Sequence, residues 1–371
     1  MVTPSPYRQA GVALLAALIL ILALAFILAN IFYRHQIDVS QASQALHRDQ
    51  ALLLALSGEN WARQLLEDDK TKVDHLDELW AQAIPAMPVD GGMLNGCISD
   101  LQGRFNLNSF KDHKPSQLQR ERASNNANFT LTWERLLALL EIPVFPSRVE
   151  SIIDWIDGDS SLVGNSGAEQ DDYAAMMPPR MAADQIMVEP SELASVMGYE
   201  IFEVQTLMPW LTALPVATPI NINTASDELL LALGAGQDSL FRDLVMDNRP
   251  FEELKDFYDV LVPNFGKDTD EVKKHWPDTL VDIKSQYFQL YIEVLLGEAR
   301  IEVKSIIKRP ASGKPVILSR ELTTVPASLP KNSAGDLTKL LGGAETGSDS
   351  DPDDPIDTTD VQPACLMIEA Y

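Results

Sequence analysis

An acidic stretch near the middle of the chain contains the residue types best suited to chemistry. It lies between Arg148 and Arg180, and no Lys or Arg inside it neutralises its carboxylates. Hard oxygen ligands on a glycine-containing loop suit Ca²⁺, which takes about six to eight of them. The candidate ligands are Asp154, Asp157, Asp159, Glu169, Asp171 and Asp172. We therefore predict a calcium site in this stretch.

The spacing of these carboxylates leaves other interpretations open. Counted from Asp157, an EF-hand loop would need glycine at Leu162 and glutamate at Ala168, so the match is poor. A solvated acidic loop without an ion is the alternative. Asp157 and Asp159 could in principle do acid–base work. However, the sequence has no G-x-S-x-G elbow, phosphate loop or zinc spacing, which disfavours an enzyme.

An apolar run from Val12 to Phe32 lies at the start of the chain. No charged residue falls between Arg8 and Arg34, and the run reaches the ~20 residues that a helix needs to cross a bilayer core. A secretory signal would have a shorter apolar core of ~7–15 residues, so we expect a retained anchor. Arg8 predicts a cytoplasmic N-terminus and an exported body from Arg34 onward.

Helical spacing of apolar residues continues beyond the anchor. No proline occurs between Tyr7 and Ile84, which favours one helix from Val12 to about Asp69, ~87 Å long, over a short coil followed by a separate helix. Residues 114–285 have the pattern of short helices. We expect one to start at Ser147, in a capping box with Glu150, and another to be capped by Thr224, with Asp227 at the N3 position.

Strand patterns bracket this helical part. Residues 97–108 predict two short strands around a Gln102-Gly103 turn, as a hairpin-like element laid against the long helix. Residues 287–294, 298–308 and 315–319 predict three more strands, because apolar and polar residues alternate along them.

Charge and cysteine content exclude some functions. The net charge of −25 disfavours a nucleic-acid partner, since phosphate binding depends on Lys and Arg. The tail after Lys339 lacks basic residues, and its composition predicts a flexible segment. Cys97 and Cys365 both lie on the exported side of the anchor, so a disulfide between them is plausible.

Several motifs resemble the K-type minor pseudopilins of type II secretion systems. Ala10-Gly11 followed at once by the apolar run resembles a prepilin leader, and Ala16 replaces a glutamate that most prepilins carry but K-type members lack. Residues 100–108 resemble a D-x-x-G-x-x-N-x-N segment. Residues 154–179 resemble the D-W-x-D-x-D, G-A-E-D-x-x-Y and P-P signature, although Gln170 stands where an acid is usual.

The resemblance implies an α+β fold, with a long N-terminal helix on a small antiparallel sheet and a large inserted all-α domain that is SAM-like or helix-hairpin-helix-like. The implied layout is a cleavable leader (1–11), a transmembrane helix (12–33), the rest of that helix with the first strands (34–114), the insert with its acidic metal loop (115–285), C-terminal strands (286–338) and an acidic tail (339–371).

The resemblance also implies a function without catalysis. Such a protein sits at the tip of a periplasmic pseudopilus and helps to initiate a fibre that drives export of folded proteins. A prepilin peptidase would cut after Gly11 and leave a methylated Val12 as the first residue of a single-pass inner-membrane protein. Calcium would bind in the insert. The implied partners are the I- and J-type minor pseudopilins, met through helices and globular bodies, and the major pseudopilin.

Two other classes of protein remain open. One is a membrane-anchored calcium-binding adhesion or interaction module outside any fibre. The other is a DNA-uptake protein, because residues 221–230 resemble a helix-hairpin-helix module that often binds DNA backbone. The acidic surroundings favour a purely structural copy of that module.

Overall fold

A single long helix organises the protein. The computed structural model describes residues 10–70, 73–82, 84–111, 113–297 and 299–326. Helix α1 runs from Ala10 to Asp68, 59 residues, and is therefore ~88 Å long. It is the one helix among the described residues that is long and apolar enough to cross a membrane, and its apolar part is not buried. The predicted continuous helix is confirmed.

The second half of α1 packs on a five-stranded antiparallel sheet. The strand order is β1-β2-β7-β8-β9. Strand β2 therefore lies beside β7 although the whole helical part of the chain separates them. The three predicted C-terminal strands are confirmed as β7 to β9. The strands are β1 (Ile84–Val89), β2 (Gly92–Asp100), β7 (Tyr287–Leu296), β8 (Ala299–Lys308) and β9 (Val316–Pro326).

The core between α1 and the sheet depends on small helix residues. Ala51, Ala55 and Ala62 are fully buried on α1 and face alternate apolar residues of β2, β7 and β8. At Gly58 an added Cβ would lie 2.8 Å from the side chain of Ile292. Small side chains on one helical stripe therefore bring α1 close to the sheet.

The helical region forms a second core around Trp133 and Phe105. Two short parallel bridges, β3 with β4 and β5 with β6, tie its ends together. Its elements are β3 (Phe105–Asn106), α2 (Pro115–Arg122), α3 (Phe129–Leu139), α4 (Pro146–Ile156), α5 (Gln170–Ala174), α6 (Ile201–Leu207), β4 (Leu211–Thr212), β5 (Ile220–Asn221), α7 (Asp227–Leu233), α8 (Asp238–Asn248), α9 (Leu254–Phe265), α10 (Thr269–His275) and β6 (Val281–Asp282).

Two predicted helix starts are wrong. Helix α4 begins at Pro146 with Phe145 as its N-cap, and Glu150 accepts a hydrogen bond from the Ser166 amide instead of closing a capping box. A proline suits the first helical turn because its missing N–H has no partner there. Helix α7 is capped by Ser226, whose side chain accepts from the Leu229 amide.

The predicted hairpin over residues 97–108 is also wrong. Strands β2 and β3 exist, but β2 pairs with β1 and β7, while β3 pairs with β4 of the helical region. The turn between them redirects the chain, because Asp100 Oδ1 accepts a hydrogen bond from the Gln102 amide at 2.8 Å.

A buried polar network joins the sheet to the helical region. The side-chain oxygens of Thr224 and Ser285 each donate to Asp100 Oδ2 at 2.6 Å, and Asn221 Nδ2 donates to the same oxygen at 2.9 Å. Thr224 thus bonds Asp100 rather than capping a helix. Nearby, the Arg309 guanidinium pairs with Asp74, just past the end of α1. The junction therefore lies at the end of α1 opposite its apolar segment.

Candidate metal centre

The acidic stretch begins at the end of a buried helix. Helix α4 buries Val149, Ile152 and Ile153 in the core of the helical region, and Asp154 follows on the same element with no exposed surface. A carboxylate at this depth loses its hydration and must find other partners. The loop 157–169 then wraps back over it before α5 begins.

Asp154 is held by the loop through the backbone amides of Val163 and Ala168. Its Oδ1 accepts a hydrogen bond from the Val163 amide at 2.8 Å. Its Oδ2 is buried with no hydrogen-bond partner among the described residues. A Cβ added to Gly167 would lie 1.9 Å from that Oδ2, so the backbone can approach the carboxylate only where there is no side chain. Burial, followed by the charges of Glu169 and Asp157, raises the pKa of Asp154 to about 7.

Three further carboxylates converge beside Asp154. Asp157, Asp159 and Glu169 each offer an oxygen within 4.8 Å of the others. Burial, followed by repulsion from Asp159, raises the pKa of Asp157 to about 6. Burial, followed by repulsion from Asp157 and then Asp184, raises the pKa of Glu169 to about 6.

The cluster has a pattern of unfilled acceptors that suits a cation. Asp154 Oδ2, Asp157 Oδ1 and Glu169 Oε1 are all buried without a hydrogen-bond donor in the described part of the chain. No ion pair with a Lys or Arg is formed by Asp154, Asp157, Asp159 or Glu169 within those residues. Mutual repulsion without a counter-charge, with one buried oxygen on each of three carboxylates lacking a donor, is unfavourable. An ion bound by oxygen ligands would relieve it. The residues present therefore fit a hard divalent cation.

Three of the six predicted ligands lie outside the group of Asp157, Asp159 and Glu169. Asp154 is beside that group but is not one of its members. Asp172 Oδ2 accepts from the Glu169 amide at 3.0 Å and so completes the capping box of α5. Asp171 is exposed in the first turn of the same helix. Gln170 Oε1 accepts from the Ala182 amide at 3.0 Å, which holds the segment after the Pro178-Pro179 pair close to the site.

Asp184 is the residue that sequence reasoning missed. Its charge acts on both Asp157 and Glu169 and raises their pKa values. It follows Met181-Ala182-Ala183, beyond Arg180 and outside the basic-free stretch, so no motif or spacing marked it. Hydrogen bonds from the Ala182 amide to Gln170 and from the Arg180 amide to the Tyr173 carbonyl hold this segment beside the cluster.

A second acidic group, formed by Asp69, Asp74 and Glu78, is less suited to an ion. Its ligand atoms also lie within 4.8 Å of one another. Arg309 already pairs with Asp69 and Asp74, and Glu78 Oε2 accepts from Trp80 Nε1 at 2.7 Å. Because a guanidinium supplies the positive charge here, we assign no metal to this group.

The structure describes only part of the predicted processing site and of the predicted disulfide. Gly11 and Val12 are in the first turn of α1, and residues 1–9 of the leader lie outside the described part. Cys97 is in β2, is 2% exposed and is disulfide-bonded. Cys365 and the tail after residue 339 lie outside the described residues. Cleavage after Gly11 and the pairing of Cys97 with Cys365 therefore remain predictions, as do the domain boundaries.

Comparisons with known proteins agree with one another. A family model described as type II secretion system (T2SS), protein K, matches residues 103–216. Type II secretion system protein K of Aeromonas hydrophila is 30% identical over 338 residues, covering 85% of this chain and 98% of that protein. The protein of the same name from Pseudomonas aeruginosa is 29% identical over 347 residues, covering 89% and 98%.

A solved structure shares this architecture. It is the GspK–GspI–GspJ complex of the enterotoxigenic Escherichia coli type 2 secretion system, in which the matching chain aligns with a TM-score of 0.64 at 25% identity. The alignment covers 76% of this chain and 99% of that chain. The likeness therefore covers most of this chain and nearly all of the solved one, and supports the mixed α+β architecture.

Proposed function

Because the chain belongs to the type II secretion system protein K family, we propose that it is the minor pseudopilin at the tip of the pseudopilus. This is a family of structural, non-enzymatic proteins, which agrees with the sequence-based expectation. In this position the protein would help to initiate the fibre and so support export of folded proteins across the outer membrane.

The observation that carries this proposal is the place of the helical region on the body. The region leaves the sheet after β2 and returns at β7. Its junction, at Asp100, Asn221 and Ser285, lies beyond the end of α1, opposite the apolar segment. If the apolar end is in the membrane, the helical region covers the distal end of the subunit. A further subunit stacked above it would be obstructed, which supports a terminal place in a fibre.

Ala16 supports the same conclusion independently. The resemblance implies that most prepilins use a glutamate here to pair with the N-terminal amine of a neighbouring subunit. An unpaired carboxylate in hydrocarbon is unfavourable. A subunit with no neighbour above it has no amine to pair with such a carboxylate and therefore does not need the glutamate. The surface of α1 from Leu14 to Phe32 is exposed and uncharged, so it remains available for lipid and for neighbouring helices.

The partners follow from the solved relative. That chain was solved with GspI and GspJ, and we infer that the present chain assembles with minor pseudopilins of those two types. Contact would run through the apolar helices within the membrane and through the globular bodies outside it. The orientation that this requires is a cytoplasmic leader and a periplasmic body, with peptidase cleavage after Gly11.

The fibre position can be tested by epitope labelling. A tag on this chain should label one end of overproduced pseudopili, whereas the same tag on the major pseudopilin should label their whole length. Ala16→Glu combined with removal of residues 115–285 should allow label along the fibre. Label along the length with the unmodified chain, or an altered chain still confined to the end, would contradict the proposal.

Processing separates this function from the runner-up, an anchored module outside any fibre. Intact mass measured with and without a prepilin peptidase should show loss of residues 1–11 and a new N-terminus at Val12. An uncut leader would favour the anchored module instead.

We also propose that the acidic cluster holds Ca²⁺. The three buried acceptors that lack donors on Asp154, Asp157 and Glu169 support this, and Asp159 adds an exposed ligand. Trp155 follows Asp154 in the chain and can sensitise Tb³⁺ luminescence. We expect Ca²⁺ to displace Tb³⁺, and so reduce its luminescence, at a lower concentration than Mg²⁺ does, because Mg²⁺ demands near-octahedral geometry. Asp157→Asn should abolish the signal and Asp171→Asn should retain it; no signal in the unmodified chain, or equal loss in both variants, would refute the assignment.

A further inference from the structure

The face of the sheet that points away from α1 contains an unusually buried patch. Side chains alternate between the two faces along each strand. Leu94 and Ile98 point toward α1, so Asn95 and Cys97 point the other way. The register places Cys97 opposite Tyr291 and Asn95 opposite Glu293. We call Asn95, Cys97, Tyr291, Glu293 and Arg300 the outer patch.

The outer patch is buried even though it includes charged groups. Cys97 is 2% exposed and Glu293 is 1% exposed, and Glu293 accepts a hydrogen bond from Asn95 Nδ2 at 3.1 Å. Arg300 lies 2.6 Å from the Glu293 carboxylate and is 8% exposed. Long charged side chains are almost never fully buried on an open sheet face. Something must therefore cover this patch.

The burial is local to β2 and β7. On the same face, Lys304 of β8 and Glu321 of β9 are exposed. Helix α1 and Trp80 pack on the opposite face. Leu214 of the helical region packs on Tyr287, which lies four residues before Tyr291 on the same face of β7. The cover is thus centred on Cys97 rather than on the edge of the sheet.

Cys97 identifies the occupant. It is disulfide-bonded, and the chain has one other cysteine, Cys365. Cys365 lies in the five-residue apolar run Ala364–Ile368, which follows a segment rich in Asp and free of Lys and Arg. Strand β2 is three strands from β9, or ~14 Å away. The chain from Pro326 to Cys365 could extend over more than ~100 Å, so its length allows this approach.

We propose that residues 361–371 pack on the outer patch, tethered by a disulfide between Cys97 and Cys365. Formation of the bond removes two electrons and two protons from the two thiols, and a protein disulfide oxidant accepts them. The C-terminal segment then provides the second layer on the sheet, opposite α1, and accounts for the burial of the outer patch. This inference stands independently of the position in a fibre.

Methionine oxidation can test the docking directly. Met367 lies in the proposed segment, while Met177 is 94% exposed and reports full reactivity. In the oxidised full chain in detergent micelles, hydrogen peroxide should oxidise Met367 at least ~5-fold more slowly than Met177, because oxidation follows exposure. Cys365→Ser should remove this difference. Equal rates in the unmodified oxidised chain would overturn the proposal.

A second variant distinguishes docking from tethering. Ile368→Asp keeps both cysteines but places a charge against the patch, so Met367 should become as reactive as Met177 while the disulfide persists. Ile356→Asp, in the tail outside the segment, is the matched control and should leave Met367 protected. Peptide mapping without reduction should recover Cys97 joined to Cys365 of the same chain. Free thiols, or a disulfide to a second chain, would overturn the proposal.

Discussion

Replacement of Asp154 by asparagine should stabilise the cation-free protein and abolish its response to calcium. Burial raises the pKa of Asp154 from 3.8 to about 7, so the native state holds this proton more tightly than the unfolded state. The stability of the cation-free protein therefore falls as pH rises from about 4 to about 7. The full pKa difference corresponds to at most about 4 kcal/mol.

Asparagine has nearly the same shape and no charge. Its carbonyl can still accept from the Val163 amide, and its Nδ2 would lie where Oδ2 has no donor. Local relaxation reduces the gain, so we expect Asp154→Asn to raise the free energy of unfolding by ~1–2 kcal/mol at pH 8 in chelator. At pH 4 the carboxyl is protonated in the native state, and the two proteins should differ little.

Urea unfolding with and without calcium measures both effects. Calcium at 100 times its dissociation constant should stabilise the unmodified chain by about 2.7 kcal/mol, and the variant should lose most of this. Asp171→Asn, on an exposed site outside the cluster, is the control and should keep the calcium response. The reasoning fails if Asp154→Asn is less stable than the unmodified chain at pH 8 in chelator, or if its calcium response is unchanged.

Three other substitutions test neighbouring parts of the structure. Arg309→Met leaves Asp74 without its cation and should lower the free energy of unfolding by ~3–5 kcal/mol at pH 8. Burial raises the pKa of Asp74 to about 7, so its carboxyl is neutral at pH 5 and urea unfolding there should show a smaller loss. Gly167→Ala should abolish Tb³⁺ luminescence because its Cβ would meet Asp154, while Gly158→Ala, whose Cβ would have 3.8 Å of room, should retain it. Glu59→Gln should lower the free energy of unfolding by ~1–3 kcal/mol at pH 7. Hydrogen bonds from Arg320 and Ser305 outweigh burial and hold the pKa of Glu59 below its usual value, so this loss should fade as pH drops below 4.

The periodicity of apolar residues predicted the long helix and the C-terminal strands. It failed where contacts between distant parts of the chain determine the secondary structure. Helix α1 lacks breakers, and β8 alternates clearly, so local sequence defines both. Strand β1 was missed because Pro85 and Pro88 weaken its strand pattern, and pairing with β2 forms it nonetheless.

The same limit applies to the candidate site. The charge pattern located the cluster, and Asp157, Asp159 and Glu169 do converge. However, a carboxylate run does not reveal which members face inward. Asp172 is used by a helix N-terminus, and Asp184 approaches only through tertiary packing. The cap of α7 was mispredicted because Thr224 and Ser226 are both suitable cap residues. Helix α4 was mispredicted because it starts at a proline and has no polar cap.

The insertion between β2 and β7 has a consequence for how the protein folds. Asn95 and Glu293 are hydrogen-bonded although 198 positions apart, so the central pairing of the sheet depends on closing a very long loop. Such non-local pairings form slowly. If the helical region collapses first, it brings Asp100 near Tyr287 and shortens that search. Until then β2 presents an unpaired edge able to capture other strands. The rate at which the helical region folds therefore sets how long the nascent chain is open to aggregation.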